Sequence, residues 1–143
     1  MDTVSMALLS RKGLLAIAAV IDVALHEKGR PVSAKVLASR HNLPSRHLEP
    51  VLQALVRDGI LRGIRGPRGG YELARERRRI TADDILRAAG TIEDSLDAAA
   101  GSDLLHQVVI PAVGQAEQAF ATALSEISID ELTKKAELKT ASA

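Results

Sequence analysis

Two short helical patterns, the turn between them and a Gly/Pro-rich hairpin directly after them fill residues 33–73, and few folds accommodate that order. Ser33 can cap the first helix, which carries Val36 and Leu37. Asn42 and Pro44 end it, and Leu43 can pack under the turn. Ser45 is placed to cap the next helix. Leu48, Val51, Leu52, Leu55 and Val56 form its inner stripe, and Gly59 stops it. Its outward positions are Arg46, His47, Glu49, Pro50, Gln53 and Arg57. Pro50 lies late in the first turn and forfeits a bond to the carbonyl of Arg46. Two β-prone stretches, Ile60–Arg65 and Tyr71–Leu73, then flank Gly66-Pro67-Arg68-Gly69-Gly70. Two short helices joined by a three-to-four-residue turn are a helix-turn-helix. A hairpin with Arg65 and Arg68 at its tip, straight after it, is a wing.

The flanks extend this unit. Ser10 can cap a helix with Leu14, Leu15, Ala18, Ile21 and Leu25 at helical spacing, ended by Lys28-Gly29 and Pro31. Thr81 opens another, with Asp83 and Asp84 where the helix dipole favours acids, Ile85, Leu86 and Ala89 as its face, and Gly90 at its end. Residues 91–101 read as an acidic, alanine-rich linker. Ser102 can cap a long helix in which Leu105, Val109, Val113, Ala116, Phe120, Leu124 and Ile127 recur every three or four residues. Pro111 must kink or divide it. Ser128 and Glu131 form a capping box, stapled by Ile127 and Leu132, that starts a last short helix. Thr140 to Ala143 should fray.

The expected fold is mainly α with one small β-hairpin: a winged helix-turn-helix domain over 1–90, a linker and dimerisation helices over 91–138, and a disordered tail over 139–143. The long apolar stripe could fold back as core or pair with a second copy. Three helices and a hairpin already close one core, which favours pairing, with Leu105, Val109, Val113, Ala116, Phe120 and Leu124 as the interface. Tyr71 and Phe120 are the only aromatics, so Leu, Ile, Val and Ala must build the core, and stacking platforms for single strands or RNA are missing.

Charge is divided along the chain. Residues 1–80 hold fifteen Lys/Arg against seven Asp/Glu; residues 81–143 hold four against eleven. A net +8 joined to a net −7 suggests a polyanion-binding module attached to something that does not bind polyanions. The chain contains no cysteine, which excludes a disulfide, a thiol nucleophile and thiolate ligation of zinc or an iron–sulfur cluster. Met1 to Ser10 is too short and too mildly apolar for a signal peptide. The longest apolar run, Gly13 to Leu25, is broken by Asp22 and is shorter than a bilayer-spanning helix. A cytoplasmic protein without membrane contact is expected.

No Gly-rich phosphate loop before a helix, paired-carboxylate site or Ser/His/Asp set is recognisable, so the chain is not read as an enzyme. Arg46, Gln53 and Arg57 lie on the outward face of the helix that would enter a major groove, and Arg and Gln suit bidentate base reading. Glu49 can accept from cytosine N4 or repel phosphate and sharpen register. His47 is a phosphate contact or a surface residue. His26, His41 and His106 show neither ligand spacing nor an acidic partner. The Arg75, Arg77, Arg78, Arg79 run reads as solvated charge with nonspecific phosphate attraction. No cofactor is expected.

From Leu43 to Arg75 the chain resembles the IscR-like family of winged-helix regulators, also called the Rrf-two family. The Leu48-Glu49 pair and the run Arg65 to Ala74 carry the likeness, supported by Ile80–Gly90 and Ile127–Leu132. The resemblance implies a homodimer built on the long C-terminal helix, recognition helices in major grooves and wings in flanking minor grooves of double-stranded DNA. It places Ser45, Arg46 and Glu49 where that helix meets DNA, and Arg65 with Gly66, Gly69 and Gly70 on the wing. Many relatives hold an iron–sulfur cluster through three linker cysteines; here Thr91 to Leu105 contains none, although His106 stands near a relative's histidine ligand. The resemblance is therefore to the cluster-free branch. The expected function is sequence-specific repression through a palindromic operator, with an effector or partner protein left unidentified. The alternative is a protein–protein adaptor that keeps the fold without binding DNA.

Overall fold

The computed structural model describes residues 9–26, 29–90 and 101–142. Helix α1 (Arg11–His26) starts where the Ser10 hydroxyl accepts the Gly13 amide at 3.1 Å, as expected. Its buried face is not the expected one. Ala16, Ala19, Val20 and Val23 are buried, Leu14 is exposed, and Leu15, Ala18, Ile21 and Leu25 are half-buried. Nearly every residue of 13–25 is apolar, so periodicity could not phase this helix. The smaller side chains face inward, where neighbouring helices approach closely.

Helix α2 (Ala34–Arg40) is capped by Ser33, whose Oγ accepts the Val36 amide at 3.1 Å. Leu37 is buried, whereas Val36 is 43% exposed. Helix α3 (Ser45–Arg57) has Pro44, not Ser45, at its N-cap, without a side-chain cap, so the Ser45 hydroxyl is not spent on the backbone. Leu48, Val51, Leu52 and Leu55 are buried as expected and Val56 is half-buried. The helix stays continuous through Pro50.

Strands β1 (Leu61–Ile64) and β2 (Gly70–Leu73) pair antiparallel, with Arg62 opposite Glu72 and Ile64 opposite Gly70. A 3₁₀ turn at Arg77–Arg79 leads to α4 (Ala82–Ala88). Thr81 and Asp84 cap α4 reciprocally, each side chain meeting the other's backbone amide at 3.1 Å. The linker expected at 91–101 lies outside the described residues, apart from Gly101. Ser102 opens the next helix, accepting the Leu105 amide at 3.2 Å. The helix is not divided at Pro111: a π-helical segment, Leu105–Val109, runs directly into α5 (Ile110–Ser125). There the Ile110 amide bonds the Leu105 carbonyl, so one extra residue enters the turn ahead of the proline.

Ser128 accepts the Glu131 amide at 3.1 Å and opens α6 (Ile129–Ser142), which is longer than expected and continues past 139. This helix belongs to the first domain's core. Ile129 is fully buried among residues of α1, α3 and α4, and its amide bonds the Ile80 carbonyl at 2.8 Å. A boundary at residue 90 therefore does not separate two cores. Leu124, expected at a dimer interface, is 8% exposed and packs with Ala82 and Leu86 of α4, with half-buried Phe120 beside it. Leu105 is half-buried, while Val109, Val113 and Ala116 remain exposed, as do Leu104, Val108 and Ile110.

Candidate nucleic-acid interface

Core packing of Leu48, Leu52 and Leu55 fixes the rotation of α3 and leaves Arg46, His47, Glu49, Gln53 and Arg57 exposed. Arg46, Glu49, Gln53 and Arg57 recur at helical spacing, so one outward stripe carries them. Among the described residues none of these four, nor His47, has an ion-pair partner.

The wing is tied to the helix-turn-helix at its base. Val32, just before α2, exchanges two backbone hydrogen bonds with Tyr71, at 2.9 and 2.8 Å. Gly70 sits in that contact at φ +156°, and a Cβ there would lie 2.5 Å from the Val32 carbonyl oxygen. At Gly69 a Cβ would overlap the Ile64 carbonyl oxygen. These two glycines are required by the fold of the wing, whatever else they contact. Gly66 differs: its φ of +112° favours glycine, but a Cβ there would meet nothing within 4 Å, so it shapes the turn alone. Arg65 and Arg68 are exposed at the tip, and no ion pair joins either to a described residue. Arg62, by contrast, is paired across the strands with Glu72, 2.8 Å from Nη2 to Oε1.

Gln53, Ser33, Arg65, Gly66, Gly69 and Gly70 come together along a shallow cleft of about 400 Å³ between α3 and the wing. Arg46, His47 and Glu49 lie on α3 outside that cleft, as does Arg57.

Two features escaped the sequence. The first is a buried carboxylate. Asp22 on α1 is 6% exposed and accepts from Arg40 Nη2 (2.7 Å) and Nε (3.1 Å), His41 Nε2 (3.0 Å) and His26 Nδ1 (3.0 Å). Both histidines thus have the acidic partner they were expected to lack. The Asp22–His26 spacing of four was the available signal. The second is the basic run, which is partly structural. Arg75 donates to the carbonyls of Gly59 (3.2 Å) and Arg79 (3.3 Å), closing the end of α3. Arg77 Nε lies 2.8 Å from Asp130 Oδ1 and ties α6 down. The hydrogen bond from Lys134, and then that from Arg77, holds the Asp130 carboxyl below the usual range.

Residues 9–135 match the family model described as Rrf2, iron-dependent transcriptional regulator. The HTH-type transcriptional regulator IscR of Xenorhabdus nematophila is 34% identical over 90 residues, 63% of this chain and 53% of that protein. The chain spans little more than half the length of the curated relatives it matches. Among solved structures, T. potens IscR superposes with a TM-score of 0.70 at 31% identity, covering 90% of this chain and 87% of that one. Staphylococcus aureus CymR gives 0.65 at 27%, covering 87% and 96%. The chain has no cysteine, so thiolate donors for the iron in the family's description are missing. Among the described residues, no three His, Asp or Glu side chains converge as metal ligands. No helix of the described residues is long and apolar enough to cross a membrane.

Proposed function

The chain belongs to the Rrf2 family of transcriptional regulators, and on that premise we propose that it binds double-stranded DNA as a homodimer and represses transcription from a palindromic operator in the cytoplasm. The observation that carries the reading is the joint placement of Gln53 and Arg65 on one cleft between α3 and the wing. A helix that offers Arg46, Glu49 and Gln53 suits a major groove. A slim, basic hairpin beside it suits the adjoining minor groove. A Ser45 hydroxyl not spent on capping supports a phosphate or base contact there.

The dimer rests on the apolar side chains that α5 and the π segment leave uncovered. Val109, Val113 and Ala116, with Leu105 at their edge, form a surface that one copy alone does not bury. Two copies double the base contacts and give the operator its symmetry. The lack of thiolates separates this chain from iron-linked sensing, so its signal is another effector or a partner protein. Electrophoretic mobility shift with DNA from upstream of its own coding region tests the reading. Retention of that fragment at protein concentrations that leave a random duplex free is expected. Equal affinity for both would remove sequence-specific recognition.

A further inference from the structure

A second cleft, of about 1040 Å³, opens on the other flank of the wing. It lies between the wing tip, the end of α1 and one side of α2. Ser33 and Gly69 line both clefts, so the two adjoin there. His26, Arg30, Arg40 and Arg68 line the larger one, and its described lining includes no acid. Arg30 and Arg68 are exposed, and neither is ion-paired to a described residue. Arg40 is held in place. Asp22 takes its Nε and Nη2, which fixes the guanidinium plane and leaves Nη1 for another acceptor.

His26 has a defined tautomer. Its Nδ1 lies 3.0 Å from Asp22 Oδ1 and 2.9 Å from the Asp22 carbonyl oxygen. Both are acceptors, so Nδ1 carries the hydrogen and Nε2 is the atom left for a ligand.

We propose that this cleft seats a phosphate group against Arg30, Arg40 and Arg68, beside the ring of His26. Asp22 is the positioning residue, since it orients Arg40 and sets the His26 tautomer. The phosphate belongs either to a DNA strand that continues from the α3–wing cleft or to a small phosphorylated ligand. The first source rests on the DNA-binding reading above.

Anisotropy of a fluorescent random-sequence duplex, titrated with salt, tests the first source. Arg30→Ala, at an exposed position outside the core, should lower the salt slope by about one unit. For the second source, inorganic phosphate is titrated at constant ionic strength while the Ser33 and Gly69 amides are followed by NMR. An unchanged duplex slope, with phosphate shifts that Arg30→Ala abolishes, assigns the seat to a small phosphorylated ligand. No slope change and no phosphate shifts overturn the proposal. Arg46→Ala, outside the cleft, separates the two readings: if it alone weakens duplex binding and inorganic phosphate shifts neither amide, DNA binding stands and the phosphate seat falls.

Discussion

Arg40 at the end of α2 grips Asp22 of α1 through two hydrogen bonds, Nη2 to Oδ1 at 2.7 Å and Nε to Oδ2 at 3.1 Å. The Asp22 side chain is buried and the Arg40 side chain is 37% exposed, so the two partners do not share the risk equally. Loss of Arg40 strands a charge in the interior, whereas loss of Asp22 leaves cations that water can reach. Arg40→Ala is therefore expected to cost about 3 kcal/mol, near the low end for breaking a buried pair because His41 and His26 remain. Asp22→Asn should cost less. Urea denaturation of both variants measures the difference, and a larger loss in Asp22→Asn would contradict this ordering.

That pair also marks where the sequence stops being informative. The inner stripe of α3 is legible because polar residues alternate with Leu48, Val51, Leu52 and Leu55 at helical spacing. The wing is legible because Gly66, Gly69 and Gly70 bracket Arg68 between β-prone runs. Helix α1 offers no such contrast, so spacing points to the wrong face and Asp22 looks like a mere interruption of an apolar run. Arg40 and His41 lie eighteen and nineteen residues beyond Asp22, a contact that only the tertiary fold creates. The same holds for Arg77 and Asp130, which turn part of a solvated-looking basic run into a tie to α6. On α5, spacing cannot tell Leu124, which α4 covers, from Val113, which nothing in the described chain covers.

The two ends of α5 should fail differently. Val113 is 61% exposed, so Val113→Glu is expected to yield a folded monomer. Leu124→Ala should instead cost about 2–3 kcal/mol of stability, since it empties a site packed against Leu86. Sedimentation equilibrium with thermal melts separates the effects. A Val113→Glu protein that keeps twice the chain mass would rule this face out as the interface.

Gly70→Ala should disrupt the base of the wing, because the added methyl meets the Val32 carbonyl. Gly66→Ala meets no such neighbour and carries only the cost of its positive φ, about 1 kcal/mol. Amide exchange at Val32 and Tyr71 reports the damage, faster in Gly70→Ala and near wild type in Gly66→Ala. Equal exchange in the two variants would show that the Val32 contact does not hold the wing.

Asp130 links stability to pH. Lys134 and Arg77 depress its folded-state carboxyl, so its contribution is present above the ordinary carboxylate range and is lost as pH falls through the folded value. The stability gap between wild type and Asp130→Asn should be widest at pH 7 and close toward pH 3. A gap that stays constant over that span would show that the charge of Asp130 does not matter to α6.

The central claim is that α3 reads sequence while the wing supplies largely electrostatic attraction. The direct measurement is duplex anisotropy with Gln53→Ala and Arg68→Ala, each on the retained upstream fragment and on a random duplex. Gln53→Ala is expected to lose roughly 1–3 kcal/mol on the upstream fragment and to leave the random duplex nearly untouched. Arg68→Ala should weaken both and lower the salt slope by about one unit. If neither substitution changes either affinity, the face formed by α3 and the wing is not a DNA interface.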